Sequence, residues 1–332
     1  MYREIRYKVT TEDGSMTAGE IMREKLELTS REISRCKKFD DGVLRKLADD
    51  NTSDDKRSCI HDERHNDTMI TKDNLVPTRI IDALNPGDEL IVRIYEDNDN
   101  AGDIVPSDGE IDIVYEDEDI IVLNKEGDRV VHPSYAHYTD SLSNLLCGYF
   151  KRTDQEHVIR TIGRLDRETS GLVLFAKNRY SAALLSKQTK DLSRRKEYVA
   201  LASGVFAESE GTVNAPIERV DCDRMLREVR EDGKEAITHY RVIRQYENFA
   251  LIRLHLDTGR THQIRVHMAH LGHPLLGDGL YGKEIPNSHG MTRAALHAAS
   301  LEFVQPVTKE KIVLEAKLPK DISTILEMAE DR

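Results

Sequence analysis

The chain has 332 residues, 48 Lys and Arg against 60 Asp and Glu, and a formal net charge of −12. That length allows two domains, an apolar share of 39% excludes wholesale disorder, and no apolar stretch approaches the roughly 18 residues of a spanning helix. Taken whole, the acidity argues against a nucleic-acid partner, but residues 1–150 carry 19 basic and 34 acidic side chains (net −15), whereas residues 151–332 carry 29 and 26 (net +3).

Met1-Tyr2-Arg3-Glu4-Ile5 opens without an apolar run and cleavage site, so a soluble, cytoplasmic chain with no membrane partner is expected. Cys36, Cys59, Cys147 and Cys222 form no C-x-x-C pair and fit reduced thiols. Residues 16–38 predict a small helical pair. Ile21, Met22, Leu26 and Leu28 supply its apolar positions, Thr29 or Ser30 caps the second helix, and Ile33 lies on the buried side. Arg31, Arg35, Lys37 and Lys38 form a short basic run. After Gly42-Val43-Leu44, residues 47–74 are polar and acidic without a period and read as an insertion. Pro86-Gly87-Asp88 turns the chain into a strand at 90–94. The acidic segment 96–109, with Gly102, Pro106 and Gly109, reads as a linker between domains at 1–95 and 110–325.

Beyond the linker, strand-like runs lie at 111–115, 120–123, 171–177, 198–204, 237–242, 250–256, 301–303 and 312–316. Helical patterns lie at 141–149, 179–189 and 262–271. Strands and helices mix without strict alternation. The expected class is α+β, with a mainly antiparallel mixed sheet flanked by helices.

Three segments carry candidate chemistry. In Gly163-Arg164-Leu165-Asp166-Arg167-Glu168-Thr169-Ser170-Gly171, two arginines flank an aspartate before a turn into a strand. Cations beside a carboxylate favour its ionised form, and an ionised, positioned carboxylate can act as nucleophile or base. Read locally, the same residues also fit a simple loop ion pair. The second segment, Asp257 to Pro274, predicts a helix capped by Thr261 and ended by Gly272 and Pro274, with Ile264, Met268 and Leu271 buried. Arg260 at its start suits a phosphate. His267, His270 and His273 do not share one helical face, so polar or RNA-facing roles are expected rather than a metal site. The third, Arg194-Arg195-Lys196-Glu197-Tyr198, suits a polyanion followed by a base-stacking ring, or else a solvated charge run.

Together these segments resemble the RluA-like pseudouridine synthases. The resemblance rests on Arg164 to Leu172, on Gly259-Arg260-Thr261-His262-Gln263-Ile264-Arg265-Val266-His267, and on Leu275 to Gly282. The run Val114 to Lys125, ending at His132-Pro133, matches the family's opening motif. The motifs keep the family order across roughly 110–320. Glu126 stands where the family usually has Pro, and Gly163 where many members have His or Asn, which leaves Arg164 to fill the space of an extruded base. Residues 14–95 weakly resemble the small RNA-binding domain of ribosomal small-subunit protein four, with Arg31, Arg35, Lys37 and Lys38 as its RNA-facing cations.

The resemblance implies isomerisation of uridine to pseudouridine in RNA, ribosomal RNA foremost and transfer RNA as the other candidate, by a monomer that needs no cofactor or metal. Asp166 is the expected catalytic carboxylate. Addition to the anomeric carbon, addition to uracil carbon 6, and deprotonation of the sugar are all open to it. Arg265 is expected to pair with Asp166, and Tyr198 to stack on the uracil and assist proton transfer at carbon 5. Arg164, Thr169, Arg260, Gln263, Arg194, Arg195 and Lys196 are the expected substrate contacts. A vestigial RNA-binding or ribosome-assembly protein is the alternative. A glycoside hydrolase would need a second carboxylate and sugar-stacking aromatics, and the chain has no Trp.

Overall fold

The computed structural model describes residues 1–48, 75–96, 104–220, 225–283 and 290–330. Nearly all of the expected insertion, and residues 97–103 of the expected linker, lie outside these residues, as do Cys59 and Cys222. The chain divides into two compact units, residues 1–100 with 178–180, and residues 101–177 with 181–332.

The first unit contains β1 (Tyr2–Lys8), α1 (Ala18–Glu24), α2 (Ser30–Cys36), β2 (Val43–Lys46), β3 (Leu75–Pro77) and β4 (Glu89–Tyr95). Its sheet is antiparallel in the order β1-β4-β2-β3. Each helix opens on a Thr-x-x-Glu sequence that closes a reciprocal cap. The Glu20 carboxylate accepts from Thr17 N–H at 2.7 Å, and that of Glu32 accepts from Thr29 N–H at 2.7 Å. Thr29, not Ser30, is therefore the cap residue. Ile21, Met22, Leu26, Leu28 and Ile33 are buried as expected, as are Leu90, Ile91 and Val92 of β4.

The second unit contains β5 (Ile113–Glu116), β6 (Ile120–Lys125), α3 (Leu142–Arg152), β7 (Arg160–Ile162), β8 (Ser170–Ala176), α4 (Arg179–Lys190) from Ser181 onward, β9 (Arg195–Ser203) and β10 (Glu210–Asn214). It continues with β11 (Ile217–Arg219), β12 (Arg227–Val229), β13 (Ile237–Gln245), β14 (Phe249–Leu256), α5 (Gln263–His270), β15 (Leu296–Val304), β16 (Lys311–Glu315) and α6 (Lys320–Glu330). Its main sheet runs β10-β13-β14-β9-β15-β8-β6-β5, with β7 on β8 and β16 on β15, and β11 and β12 form a separate ribbon. The β15–β8 pair is parallel and the other pairs are antiparallel, so the class is α+β with a mainly antiparallel sheet.

Every residue of β8 is buried, as its continuous apolar run requires of a central strand. Gly171 enters it at φ 109°, where a Cβ would stand 2.2 Å from the Ala298 carbonyl oxygen. Only glycine lets β8 and β15 approach there. Two further departures from the sequence pattern matter for the site. β15 begins at Leu296 rather than 301, because pairing with β9 and β8 overrides the weak strand preference of its alanines. The residue before α5 is His262 in a left-handed conformation (φ 59°), and Thr261 does not cap the helix. The Gln263 side-chain oxygen instead accepts from Arg260 N–H at 2.9 Å and closes that turn.

Candidate active site

The loop joining β7 to β8 and the loop entering α5 face each other across an open cleft of about 270 Å³. Its walls include Arg164, Asp166, Thr169, Arg194, Lys196, Tyr198, Arg260, Gln263 and Arg265, so segments spread over a hundred residues meet in one place. Asp166 stands in the first loop with 17% of its side chain exposed, and the exposed Arg164 guanidinium lies 3.5 Å from its carboxylate. Thr169 is buried, and its backbone N–H donates to the Asp166 carbonyl oxygen at 3.1 Å to fix the turn. At Gly163 (φ 84°) a Cβ would lie 3.1 Å from Arg194 Nη2. Arg194 thus packs into the space that a side chain there would take.

Arg265 does not pair with Asp166 as the sequence led us to expect. Its guanidinium is buried, and its fork is filled by Asp278, with Nε donating at 2.7 Å and Nη2 at 2.6 Å. Nη2 also donates to Glu168 at 3.2 Å. The reason is geometric, since a planar five-donor group taken out of water binds the carboxylate that can match it twice. Asp278 is equally committed, accepting from the backbone N–H groups of Leu280 and Tyr281. Although burial opposes it, the bond from Asp278 helps raise the Arg265 pKa, and the charge of Asp166 adds to that more weakly.

Glu168 and Arg293 complete this floor. Glu168 accepts from Ala294 N–H at 2.9 Å. The buried Arg293 donates to the Glu168 carbonyl oxygen at 2.8 Å and pairs with Asp321 at 2.8 Å. Lys125 is 1% exposed, and its ammonium donates to the carbonyl oxygens of Glu126, Arg129 and Arg167 at 2.8–2.9 Å. Burial, and then the charge of Arg293, push its pKa down to about 7. These partners carry no signature in the motif spacing. The available signal was bookkeeping, because a buried arginine requires a buried carboxylate, and Asp278 sits within a conspicuous Gly-Asp-Gly.

Strand alternation sorts the third segment. Arg194, Lys196 and Tyr198 line the cleft, whereas Arg195 points to the opposite face and is exposed. Arg195 is thus not a cleft residue. Arg194 donates to the Ile162 carbonyl oxygen at 2.7 Å, and Lys196 to that of Leu172 at 3.0 Å. Burial, reinforced by the Arg194 charge, pushes the Lys196 pKa down to about 7. Burial also drives the Tyr198 phenol well above its usual range, so it is neutral at physiological pH.

Gln263 is buried, with its amide N–H groups donating to the Ile237 carbonyl oxygen and the Thr238 hydroxyl. Both donors are taken, which makes it a support for the 258–260 turn. Arg260 remains exposed, its Nε donating to the Glu235 carbonyl oxygen at 2.8 Å, and it also borders a second groove with Arg219, Arg227 and Lys234. His262, also on the cleft wall, lies 2.9 Å from the Tyr281 hydroxyl, and burial lowers its pKa. His267 is fully buried between the Thr238 hydroxyl and the Ala215 carbonyl oxygen, a polar role within the core, which corrects only the RNA-facing alternative for it. His273 stacks on Phe206 at 3.9 Å between ring centres. In the first unit, Arg31, Lys37 and Lys38 are exposed and Arg35 is half-buried.

Fold and cleft together define an α+β enzyme in which the half-buried Asp166 carboxylate stands among cations, a site fitted to a polyanion. The sequence pattern of the RNA pseudouridylate synthase family matches residues 119–270. An RNA pseudouridine synthase of Bacillus subtilis (strain 168) is 38% identical over 241 residues, covering 72% of this chain and 78% of that protein. Ribosomal large subunit pseudouridine synthase D of Haemophilus influenzae is 38% identical over 252 residues, covering 72% and 75%. Human RNA pseudouridylate synthase domain containing 4 shares the fold, with a TM-score of 0.55 and 24% identity over 66% of this chain and 93% of that one. The chain belongs to the RNA pseudouridine synthase family, isomerases that act on RNA.

Proposed function

We propose that this enzyme isomerises specific uridines of ribosomal RNA, with transfer RNA as the other candidate substrate, and that Asp166 is its essential carboxylate. The observation that carries the reading is the placement of Asp166: half-buried in the cleft wall, with Arg164 at 3.5 Å, and with Arg265 on the same wall held by Asp278. The bond from the anomeric carbon to N1 breaks and a bond to carbon 5 forms. Carbon 5 loses its proton and N1 gains one, so the reaction is balanced and needs no redox partner or cofactor. Extruding the base costs a few kcal/mol, which phosphate contacts from Arg260 and the neighbouring Arg219, Arg227 and Lys234 offset. Tyr198 packs against the uracil. Its neutral phenol is a poor base but can relay a proton near carbon 5.

The 1–95 region is read as an RNA-binding domain acting through Arg31, Arg35, Lys37 and Lys38, joined to a catalytic domain at 110–325 in a monomeric, cytoplasmic enzyme. None of the described helices is long and apolar enough to cross a membrane. The deciding experiment is tritium release from RNA labelled at carbon 5 of uridine. Asp166→Asn should abolish release while RNA binding persists, and retained turnover would remove Asp166 from its role.

A further inference from the structure

Away from the reacting centre, one row of side chains crosses the outer face of the sheet. Thr212 on β10 pairs with His239 on β13, His239 with His255 on β14, and His255 with Glu197 on β9. The two imidazoles stack with centres 4.3 Å apart and planes 12° from parallel. Asp257, two residues beyond His255, places a carboxylate oxygen 2.8 Å from His239 Nε2. One donor atom from each of His239, His255 and Asp257 lies within 4.8 Å of the others. On its other side, His239 Nδ1 lies 2.9 Å from the Thr212 hydroxyl.

We propose that His239, His255 and Asp257 form a binding site for a divalent transition metal of the zinc class. Two imidazoles and one carboxylate are donors that favour zinc, cobalt, nickel or copper over magnesium or calcium. Donors round a tetrahedral ion at about 2.0 Å stand about 3.3 Å apart, so closure draws together donors now within 4.8 Å and turns the two stacked rings until each nitrogen lone pair points at the shared ion. The Thr212 hydroxyl provides the outer contact that orients a ligating imidazole through its second nitrogen. Three protein ligands leave a fourth position to water. Asp257 also belongs to the cleft wall, so the ion would be anchored to the rim of the active site without touching the reacting groups.

The test is titration of tag-free, chelator-treated full-length enzyme with Co²⁺ and Zn²⁺, followed by visible absorption and calorimetry. One ion per chain is expected, with the visible bands of tetrahedral cobalt, a raised melting temperature, and no competition from Mg²⁺ in excess. His239→Ala and His255→Ala should each weaken binding by at least about tenfold, as should Asp257→Asn. His255 is exposed, so its variant should melt like the parent in metal-free buffer. No binding, binding unchanged in all three variants, or full displacement by Mg²⁺ would each overturn the site. Pseudouridine formation is not the readout, so the metal site and the proposed activity stand or fall separately.

Discussion

The rim and the floor of the cleft are both rich in arginine, yet they do opposite things. On the rim, Arg164 is 67% exposed and lies 3.5 Å from Asp166, while Arg260 hangs on one carbonyl oxygen. On the floor, Arg265 is 2% exposed and held twice by a carboxylate that is itself fully buried. A rim cation loses little when its partner leaves, since water and salt replace it. A floor cation cannot exchange, because each loss leaves a charge stranded in low dielectric. The rim is therefore free to trade its partners for phosphates, and the floor fixes where Asp166 stands.

The largest test of this division is Asp278→Ala. It should destabilise the enzyme by about 3–5 kcal/mol, read as a lowered urea midpoint. A loss under about 1 kcal/mol would place Arg265 with the rim. Next comes Arg265→Lys, which keeps the charge but not the fork. Turnover should fall by about a hundredfold or more while RNA affinity holds, in single-turnover and filter-binding assays.

Lys196 sharpens the boundary, because it lies between the two groups. With its pKa pushed down to about 7, the side chain is mostly the neutral amine above that pH. A phosphate favours the charged form, so binding above pH 7 must take up a proton. RNA affinity should then fall by up to about tenfold per pH unit above 7, and be flat below it. Lys196→Met should remove that slope, and a parent affinity that is pH-independent from 6 to 9 would contradict it. A smaller effect belongs to Arg260→Ala. The salt dependence of RNA binding should flatten by about 0.7 in log–log slope, one phosphate on a single strand. Arg195→Ala, on the other face, should change the slope less. Equal effects would refute the sorting by strand alternation.

Much of this was legible in the sequence, for a physical reason. The loop at 163–171 and the helix start at 259–267 are local patterns, fixed by turn chemistry and periodicity, and both reached the cleft. The helical pair at 16–38 was legible because its Thr-x-x-Glu caps are local too. What escaped was choice of partner. Nothing near Arg265 in the chain says that Asp278, rather than Asp166, will match its fork. The side of the sheet taken by Arg195 was readable from period-two alternation, but only once β9 was known to begin there. α6 hid because only Ile322 and Ile325 of its residues are fully buried. β1 hid because Ile5 alone is buried among charged and aromatic neighbours.

The floor has one more consequence, which concerns the order in which the molecule is made. The loop bearing Asp166 is held by Ala294 and Arg293 through Glu168, and Arg293 is in turn held by Asp321. Ser170, at the loop's end, lies 2.9 Å from His297 Nδ1. The contacts of Glu168 and Ser170 span more than a hundred residues, the kind of closure that comes late in folding. A ribosome-bound chain that has emerged only through β14 would carry Asp166 in an unsupported loop. That loop gains its support only once β15 and the start of α6 have been made.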